Sequence, residues 1–126
     1  MMAMNRILLV DDDHDTQKLM RLVMNHYGVN LTVSSNAEQA LAVLSQDTFD
    51  LIILDLVLEE GMDGYRLLHA IREQGYQTPC VAVSAYYNHE TTLDTLQYGF
   101  NGFIPKPFEA NSLLDTLNKI FNSAVS

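Results

Sequence analysis

The sequence predicts an α/β fold in which helices cover both faces of a parallel β-sheet. Short apolar runs alternate with segments of helical periodicity, and this strand–helix order occurs five times. The strongest runs are continuously apolar rather than alternating, as expected of parallel strands that are buried on both faces. Right-handed crossovers between such strands would place helices on both sides of the sheet.

Five segments are predicted to form the strands. Three continuous apolar runs give the clearest signal, and they are Ile7–Val10, Leu51–Leu54 and Cys80–Val83. A shorter strand is expected at Phe103–Ile104, and a weaker one at Leu31–Val33, which reads as an edge strand. In sheets of this kind, ligands bind at the carboxyl ends of the strands, so the residues that end the strands are the first candidates for function.

Five apolar stripes at helical spacing predict the helices that separate and follow the strands. The stripes comprise Leu19, Leu22, Val23, His26 and Tyr27; Ala37, Ala40, Leu41 and Leu44; Gly64, Leu67, Leu68 and Ile71; Leu93 and Leu96; and Leu113, Leu114, Leu117, Ile120 and Phe121. The fourth stripe is thin. Gly28, Gly75 and Gly99 are expected to end helices, and Asp13 and Asn36 to cap them.

Charge and composition exclude several classes of function. The chain carries 16 acidic against 7 basic residues, a net charge of −9, so direct binding to nucleic acid or to an anionic membrane is not expected. Cys80 is the single cysteine, which rules out an intrachain disulfide and a cysteine-based zinc site. The sequence shows no signal-peptide pattern and no stretch of membrane-spanning length, and the expected location is therefore the cytoplasm.

Charged and hydroxyl side chains follow four of the predicted strands. The acidic run 11–13 follows the first strand, Asp55 the third, Ser84 the fourth, and Lys106 the fifth. Two carboxylates about 4 Å apart repel by roughly 4 kcal/mol at an effective dielectric constant near 20. A cluster of such oxygens therefore requires a cation, and oxygen ligands favour Mg2+ over zinc.

The carboxyl ends of parallel strands lie at one edge of the sheet, so these side chains are expected to lie close together. Their chemistry suits phosphoryl transfer. Asp55 could act as the nucleophile, because a carboxylate can attack phosphorus in line with the leaving group. The phosphoryl oxygens could then contact the metal ion, the Lys106 ammonium and the Ser84 hydroxyl together with nearby backbone N–H groups. The sequence thus predicts an Mg2+-dependent phosphoacceptor site.

Four segments carry a resemblance to a known family. The runs ILLVDDD, LIILDL, AVSA and GFIPKPF resemble the four signature segments of response-regulator receiver domains, in the same order and spacing. The resemblance implies a flavodoxin-like (βα)5 fold with a five-stranded parallel sheet of order 2-1-3-4-5. It further implies a single receiver domain over residues 1–126, with a core of about residues 5–121, that signals in a two-component or phosphorelay system rather than acting as an enzyme.

The resemblance implies a role for each matching position in phosphoryl transfer and switching. Asp55 would accept the phosphoryl group, and Lys106 would bind it, with a cis bond between Lys106 and Pro107. Ser84 and Phe103 would be the two switch residues, whose movement changes the surface formed by the fourth helix, fifth strand and fifth helix. Phe103 is equally well explained as a core residue.

The resemblance also implies the metal ligands. Mg2+ would be bound directly by the carboxylates of Asp12 and Asp55, through a water molecule by Asp11, and by the backbone carbonyl of Val57. One departure from the family pattern concerns the loop after Asp55. Glu59 occupies a position where the family usually has proline, and the loop from Val57 to Met62 holds one extra residue.

The expected partners follow from the same resemblance. A histidine kinase or a histidine phosphotransfer protein would donate the phosphoryl group, and the switching surface could mediate a homodimer. The output is not indicated: the chain is either a stand-alone regulator or a fragment of a larger protein.

Two other functions remain as alternatives, a receiver-like interaction module without phosphate turnover and a haloacid-dehalogenase-like phosphatase. The second requires Asp-x-Asp-x-Thr, and His14 occupies its middle position.

Overall fold

The computed structural model describes residues 4–58, 62–85 and 88–125. Within these residues, strands and helices alternate along the chain, as the sequence predicts. The elements are β1 (Arg6–Val10), α1 (His14–His26), β2 (Asn30–Ser34), α2 (Ala37–Leu44), β3 (Leu51–Asp55), α3 (Gly64–Glu73), β4 (Cys80–Ser84), α4 (His89–Tyr98), β5 (Gly102–Pro105) and α5 (Ala110–Val125).

The strands form one parallel sheet with the order β2-β1-β3-β4-β5, which confirms the predicted topology. The register aligns the strand ends, since Val10 pairs with Leu54 and Ser84 pairs with Pro105. β2 and β5 are the edge strands. The position of Pro105 at an edge is consistent with its lack of a backbone N–H, because an inner strand would need that donor.

Each face of the sheet is covered by its own hydrophobic core. Along β1, Leu8 and Val10 point to one core, which α2 and α3 cover, whereas Ile7 and Leu9 point to the other, which α1 and α5 cover. This two-sided burial explains why the inner strands are continuously apolar rather than alternating. The cores hold the strands in register and therefore fix the positions of the residues that follow them.

Side-chain caps and glycines set the helix boundaries. The carboxylate of Asp13 accepts hydrogen bonds from the first turn of α1, and the amide oxygen of Asn36 accepts one from Gln39 in α2, so both predicted caps are confirmed. Gly28, Gly75 and Gly99 have φ angles of 71°, 91° and 127°. These left-handed conformations disfavour side chains with a Cβ, and they explain the chain reversals after α1, α3 and α4.

The predicted apolar stripe of α1 is wrong in part. Leu22 is 62 % exposed and Tyr27 is 51 % exposed, whereas Met20 and Met24 are fully buried. The apolar residues of this helix lie almost consecutively between positions 19 and 24, so periodicity alone does not identify the buried face. Packing against the sheet selects the face that also carries Gln17, close to the carboxyl end of β1.

The thin stripe of α4 is also placed wrongly by the sequence. Leu93 is 44 % exposed and Leu96 is 47 % exposed, and among the described side chains of this helix the buried one is Thr95. The Thr95 hydroxyl donates to the carbonyl of Thr92, so its polar atom is satisfied within the helix. α4 therefore presents leucines to solvent. Among the described residues, every helix is too short or too polar to cross a lipid bilayer.

Gly64, at the start of α3, leaves no room for a side chain. A Cβ there would lie 2.5 Å from the backbone oxygen of Asp55 and 2.9 Å from the Cα of Leu56. We expect Gly64→Ala to lower the free energy of unfolding by about 1–3 kcal/mol, the range for overpacked sites. Chemical denaturation would measure the loss.

Gly102→Ala is the matched control for this prediction. A Cβ at Gly102 would lie 2.6 Å from Cδ1 of Ile120, the far end of a flexible side chain. That side chain can move, whereas the backbone of a central strand cannot, so the loss of stability should be smaller than at Gly64. An equal or larger loss at Gly102 would contradict the proposed difference between backbone and side-chain contacts.

Candidate functional site

The carboxyl ends of four strands meet at one edge of the sheet. Asp11 directly follows β1, Asp55 ends β3, Ser84 ends β4, and Lys106 directly follows β5. Oxygen atoms of Asp11, Asp12 and Asp55 all lie within 4.8 Å of one another. The structure thus brings together the carboxylates and the lysine that the sequence analysis selected, although they are distant in the sequence.

Lys106 bridges two of these carboxylates. Its Nζ lies 2.7 Å from Oδ2 of Asp11 and 3.1 Å from Oδ2 of Asp55. The backbone N–H of Lys106 donates to the carbonyl of Ser84, which fixes the point from which the side chain extends. The bond between Lys106 and Pro107 is cis, as predicted. The Lys106 ammonium, which follows the edge strand β5, therefore partly compensates the negative charge of the carboxylates.

The electrostatics of the cluster raise the pKa of two of its members. Burial, reinforced by the charge of Asp55, raises the pKa of Asp11 from its ordinary 3.8 to about 6, against the opposing effects of Lys106 and the N–H of Asp13. Burial alone would lower the pKa of Lys106, but its hydrogen bonds and ion pairs with Asp11 and Asp55 outweigh burial and raise it. Lys106 thus stays an ammonium, whereas the charged form of Asp11 is disfavoured.

The Asp11 carboxylate has an oxygen that the protein does not fully satisfy. Oδ1 accepts a hydrogen bond from the N–H of Asp13 at 2.9 Å. Oδ2 is shielded from solvent and, among the described residues, accepts no hydrogen bond of acceptable geometry. The Lys106 ammonium lies 2.7 Å from this oxygen in an ion pair. A buried carboxylate oxygen in this state needs additional positive charge nearby.

The donor set fits Mg2+ as far as its chemistry is concerned. All candidate side-chain ligands are carboxylate oxygens, and hard divalent cations prefer oxygen. Asp11 and Asp55 are buried and Asp12 is partly buried, so the cluster opens toward solvent on the side of Asp12. Three carboxylates and one ammonium leave a net negative charge that a divalent cation would neutralise.

The Asp55 side chain is held by its own loop. Its Oδ1 accepts a hydrogen bond from the N–H of Val57 at 3.0 Å, and the N–H of Leu56 donates to the carbonyl of Val83. The N–H of Gly64 donates to the carbonyl of Leu56, which attaches the start of α3 to this segment. Positions 59–61, which include Glu59, lie outside the described residues.

The two predicted switch residues lie on elements next to the cluster. Ser84 is only 2 % exposed at the end of β4. Phe103, on the neighbouring strand β5, is partly buried and packs against the core that α2 and α3 cover. The core interpretation of Phe103 is therefore consistent with this packing, and its role as a switch residue stays a prediction.

A family model for the response regulator receiver domain matches residues 7–118. The chain belongs to this family. Receiver domains are signalling modules of two-component systems, and the (βα)5 topology and strand order agree with that assignment.

Curated relatives place the chain among two-component regulators. It is 36 % identical over 115 residues to an uncharacterised 14.6 kDa protein of Leptolyngbya boryana, covering 90 % of this chain and 87 % of the relative. It is 34 % identical over 117 residues to the transcriptional regulatory protein CpxR of Escherichia coli, covering 93 % of this chain and 49 % of CpxR. The chain therefore spans about half the length of that regulator.

Solved structures show the same architecture. The chemotaxis response regulator CheY4 of Vibrio cholerae is 27 % identical and superposes with a TM-score of 0.85, covering 94 % of this chain and 99 % of that protein. NtrX of Brucella abortus is 31 % identical with a TM-score of 0.88, covering 98 % of this chain and 28 % of that protein. The receiver domain is thus similar both to a single-domain regulator and to one part of a longer chain.

One residue of the site was missed by the sequence analysis. Gln17, on α1, is buried, and its side-chain amide contacts the backbone carbonyl of Asp11. A glutamine near the start of a helix normally reads as part of a solvated face, and no motif marks this position. The only signal in the sequence is the spacing: Gln17 lies six residues after Asp11, in the first turn of the predicted helix, from which its side chain could reach back to Asp11.

The raised pKa of Asp11 predicts a pH dependence for the metal-free protein. Because the pKa in the folded state lies above the unfolded value of 3.8, the stability linked to this group is present below about pH 4 and is lost as the pH rises through about 6. Asp11→Asn removes this loss. With a chelator present, we expect the variant to be more stable than wild type above about pH 7, by on the order of 1–3 kcal/mol.

Asp13→Asn is the matched control for this pH experiment. The hydroxyl of Thr16 lowers the pKa of Asp13, so the stability linked to this group is present above the unfolded pKa and is lost as the pH falls. Relative to wild type, this variant should not gain stability as the pH rises. Denaturation curves at several pH values would measure both trends, and a gain for Asp13→Asn that matches the gain for Asp11→Asn would rule out the explanation.

Proposed function

We propose that this domain is the phosphoacceptor of a two-component or phosphorelay system and that Asp55 accepts the phosphoryl group in the presence of Mg2+. The donor would be a phosphohistidine on a histidine kinase or a histidine phosphotransfer protein. The observation that carries the proposal is the position of Asp55 at the end of a buried strand, 3.1 Å from the Lys106 ammonium and within the carboxylate cluster.

Four groups would hold the metal ion. These are the carboxylates of Asp12 and Asp55, the carboxylate of Asp11 acting through a water molecule, and the backbone carbonyl of Val57. When bound, Mg2+ would neutralise the carboxylates and the charge of the arriving phosphoryl oxygens. The close approach of the three carboxylates, whose charge the Lys106 ammonium balances only in part, supports this assignment.

The chain's own residues would carry out the transfer by positioning and charge compensation. An oxygen of Asp55 would attack phosphorus as the bond from phosphorus to the histidine nitrogen breaks, and the bonding pair would leave with the imidazole. The Lys106 ammonium lies 3.1 Å from Asp55, so it could form an ion pair with a phosphoryl oxygen once that group is attached. The Ser84 hydroxyl would bind another of these oxygens. Later attack of water on phosphorus would break the bond to the Asp55 oxygen, release inorganic phosphate and return Asp55 to its free carboxylate.

The signal would reach the surface through Ser84 and Phe103. Movement of Ser84 toward the phosphoryl group would open space beside β5, and Phe103 would follow into it. The surface formed by α4, β5 and α5 would then change shape. The exposed leucines of α4, Leu93 and Leu96, support a role for this surface in contacting an output partner or a second copy of the chain.

We propose that residues 1–126 form a single receiver domain, with its core at about residues 5–121. This domain would act as a signalling component that assists its own phosphorylation and dephosphorylation, rather than as an enzyme with a separate substrate. A histidine kinase as donor would place it in the cytoplasm. A receiver-like interaction module without phosphate turnover is the alternative, and phosphorylation of Asp55 separates the two.

Binding of Mg2+ should stabilise the folded protein. The ion would relieve repulsion among carboxylates that are close together only in the folded state, so it should not bind the unfolded chain. A concentration tenfold above the dissociation constant should add about 1.4 kcal/mol to the free energy of unfolding. Thermal denaturation during an Mg2+ titration tests this. An unchanged melting temperature at saturating Mg2+ would be evidence against the metal site.

Asp55→Asn should abolish labelling by a small phosphodonor such as acetyl phosphate. The amide keeps the shape of the side chain but is not a nucleophile at phosphorus, so intact-mass analysis should show no added phosphoryl group. Asp13→Asn is the matched control, because asparagine is also a good helix cap and Asp13 is exposed outside the cluster. This control should be labelled like wild type. Full labelling of Asp55→Asn would show that Asp55 is not the acceptor.

A further inference from the structure

The buried side chain of Gln17 connects the candidate metal site to the neighbouring edge of the sheet. Its Nε2 donates to the backbone carbonyl of Asp11 at 2.6 Å and to Oγ of Ser35 at 3.2 Å. Gln17 is 9 % exposed, although it lies only one turn into α1.

Asp11 depends on this contact because it lies just beyond the strand ladder. The last paired residue of β1 is Val10, which is in register with Ser34 on one side and Leu54 on the other. The N–H of Asp11 still donates to the carbonyl of Ser34, at 3.0 Å. Gln17 satisfies the carbonyl on the other side of the residue. The backbone of Asp11 is therefore held at both ends by hydrogen bonds.

Holding this backbone also holds the carboxylate. Leaving a buried carbonyl without a donor costs about 1–3 kcal/mol, so an unheld peptide would rotate toward another donor or toward water. Such a rotation would change the path of the backbone from Asp11 to Asp13. It would thereby disturb the Asp11 carboxylate, whose Oδ1 accepts from the N–H of Asp13 and whose Oδ2 faces Lys106. Displacements well below the length of one bond already matter at a site with fixed ligand geometry.

The chemistry of an amide suits this position. Glutamine donates a hydrogen bond without adding charge next to the carboxylates of Asp11, Asp12 and Asp55. A carboxylate of the same length would lack a donor and would increase the repulsion, and a lysine would add an ammonium that competes with a metal ion. Ser35, the second acceptor of the Gln17 amide, is itself held in place because its N–H donates to the side chain of Gln39 in α2.

We propose that Gln17 is a positioning residue that holds Asp11 in the geometry required for Mg2+ binding. This inference rests on the proposed function only in assuming that Mg2+ binds at the cluster. A purely structural role is the competing explanation. In that case, loss of the Gln17 amide would lower the stability of the metal-free protein, but it would leave the affinity of the folded protein for Mg2+ unchanged.

The test is the Mg2+ dissociation constant of the folded protein, measured by calorimetric titration well below the melting temperature. Gln17→Met keeps the approximate shape of the side chain and removes the donor. We expect it to weaken Mg2+ binding by about tenfold, at the lower end of the effects seen when groups that orient metal ligands are removed. Ser35→Ala is the matched control, because it removes the other partner of Gln17 and leaves the bond to Asp11. It should bind Mg2+ within about twofold of wild type, since the ligand-orienting bond is retained.

Gln17→Asn provides a second variant should Gln17→Met fail to fold. It retains the amide but is one methylene shorter, so it should not reach the Asp11 carbonyl and should also bind Mg2+ more weakly. Wild-type affinity in a folded Gln17 variant would overturn the inference, as would equal weakening in Ser35→Ala. Failure of the wild-type protein to bind Mg2+ would instead overturn the proposed metal site itself, so the two failures are distinguishable.

Discussion

The ion pairs that join Lys106 to Asp11 and Asp55 connect the carboxyl ends of three strands of the sheet. The ammonium lies 2.7 Å from one carboxylate and 3.1 Å from the other. The carboxylate oxygens of Asp11, Asp12 and Asp55 lie within 4.8 Å of one another, so the carboxylates repel by about 3–4 kcal/mol per pair at an effective dielectric constant near 20. A nearby cation offsets the cost of burying these strand ends together. A single ammonium does not balance three carboxylates. The remaining negative charge favours the binding of a cation at this edge. In the proposed function, that cation and Lys106 together would offset the negative charge of the phosphoryl group.

These distances depend on the register of the sheet, which the two cores maintain. A strand advances by about 3.3 Å per residue, so a slip of one residue would separate Asp55 from Lys106 and point the adjacent side chains to the opposite faces. Leu8 and Leu9 on β1 are both fully buried, in different cores, and either core would resist such a slip. The apolar residues far from the site therefore determine its geometry, and Gly64 extends this constraint to the backbone of Asp55 and Leu56.

Much of this arrangement could be predicted from the sequence because buried parallel strands are continuously apolar. The first polar residue after such a run marks the end of the strand, and Asp11 and Asp55 were located in this way. The faces of α1 and α4 were not predicted correctly. Leu22 is exposed because the apolar residues of α1 are nearly consecutive, so that periodicity does not select one face. In α4 the helix buries Thr95 and leaves its thin apolar stripe, which includes Leu93, exposed. The choice is made by the shape of the sheet, which helical periodicity does not contain.

Gln17 was missed for a different physical reason. The charged residues of the site have to be carboxylates or an ammonium, so the chemistry restricts the residue type, and a pattern becomes visible. A backbone carbonyl can accept a hydrogen bond from almost any donor, and nothing in the residue type of Gln17 identifies its partner. Its effect depends on burial and on a distance of 2.6 Å, which arise only when α1 packs on the sheet. Groups that carry charge can thus be recognised in this sequence, whereas the neutral groups that orient them become evident only in the folded structure.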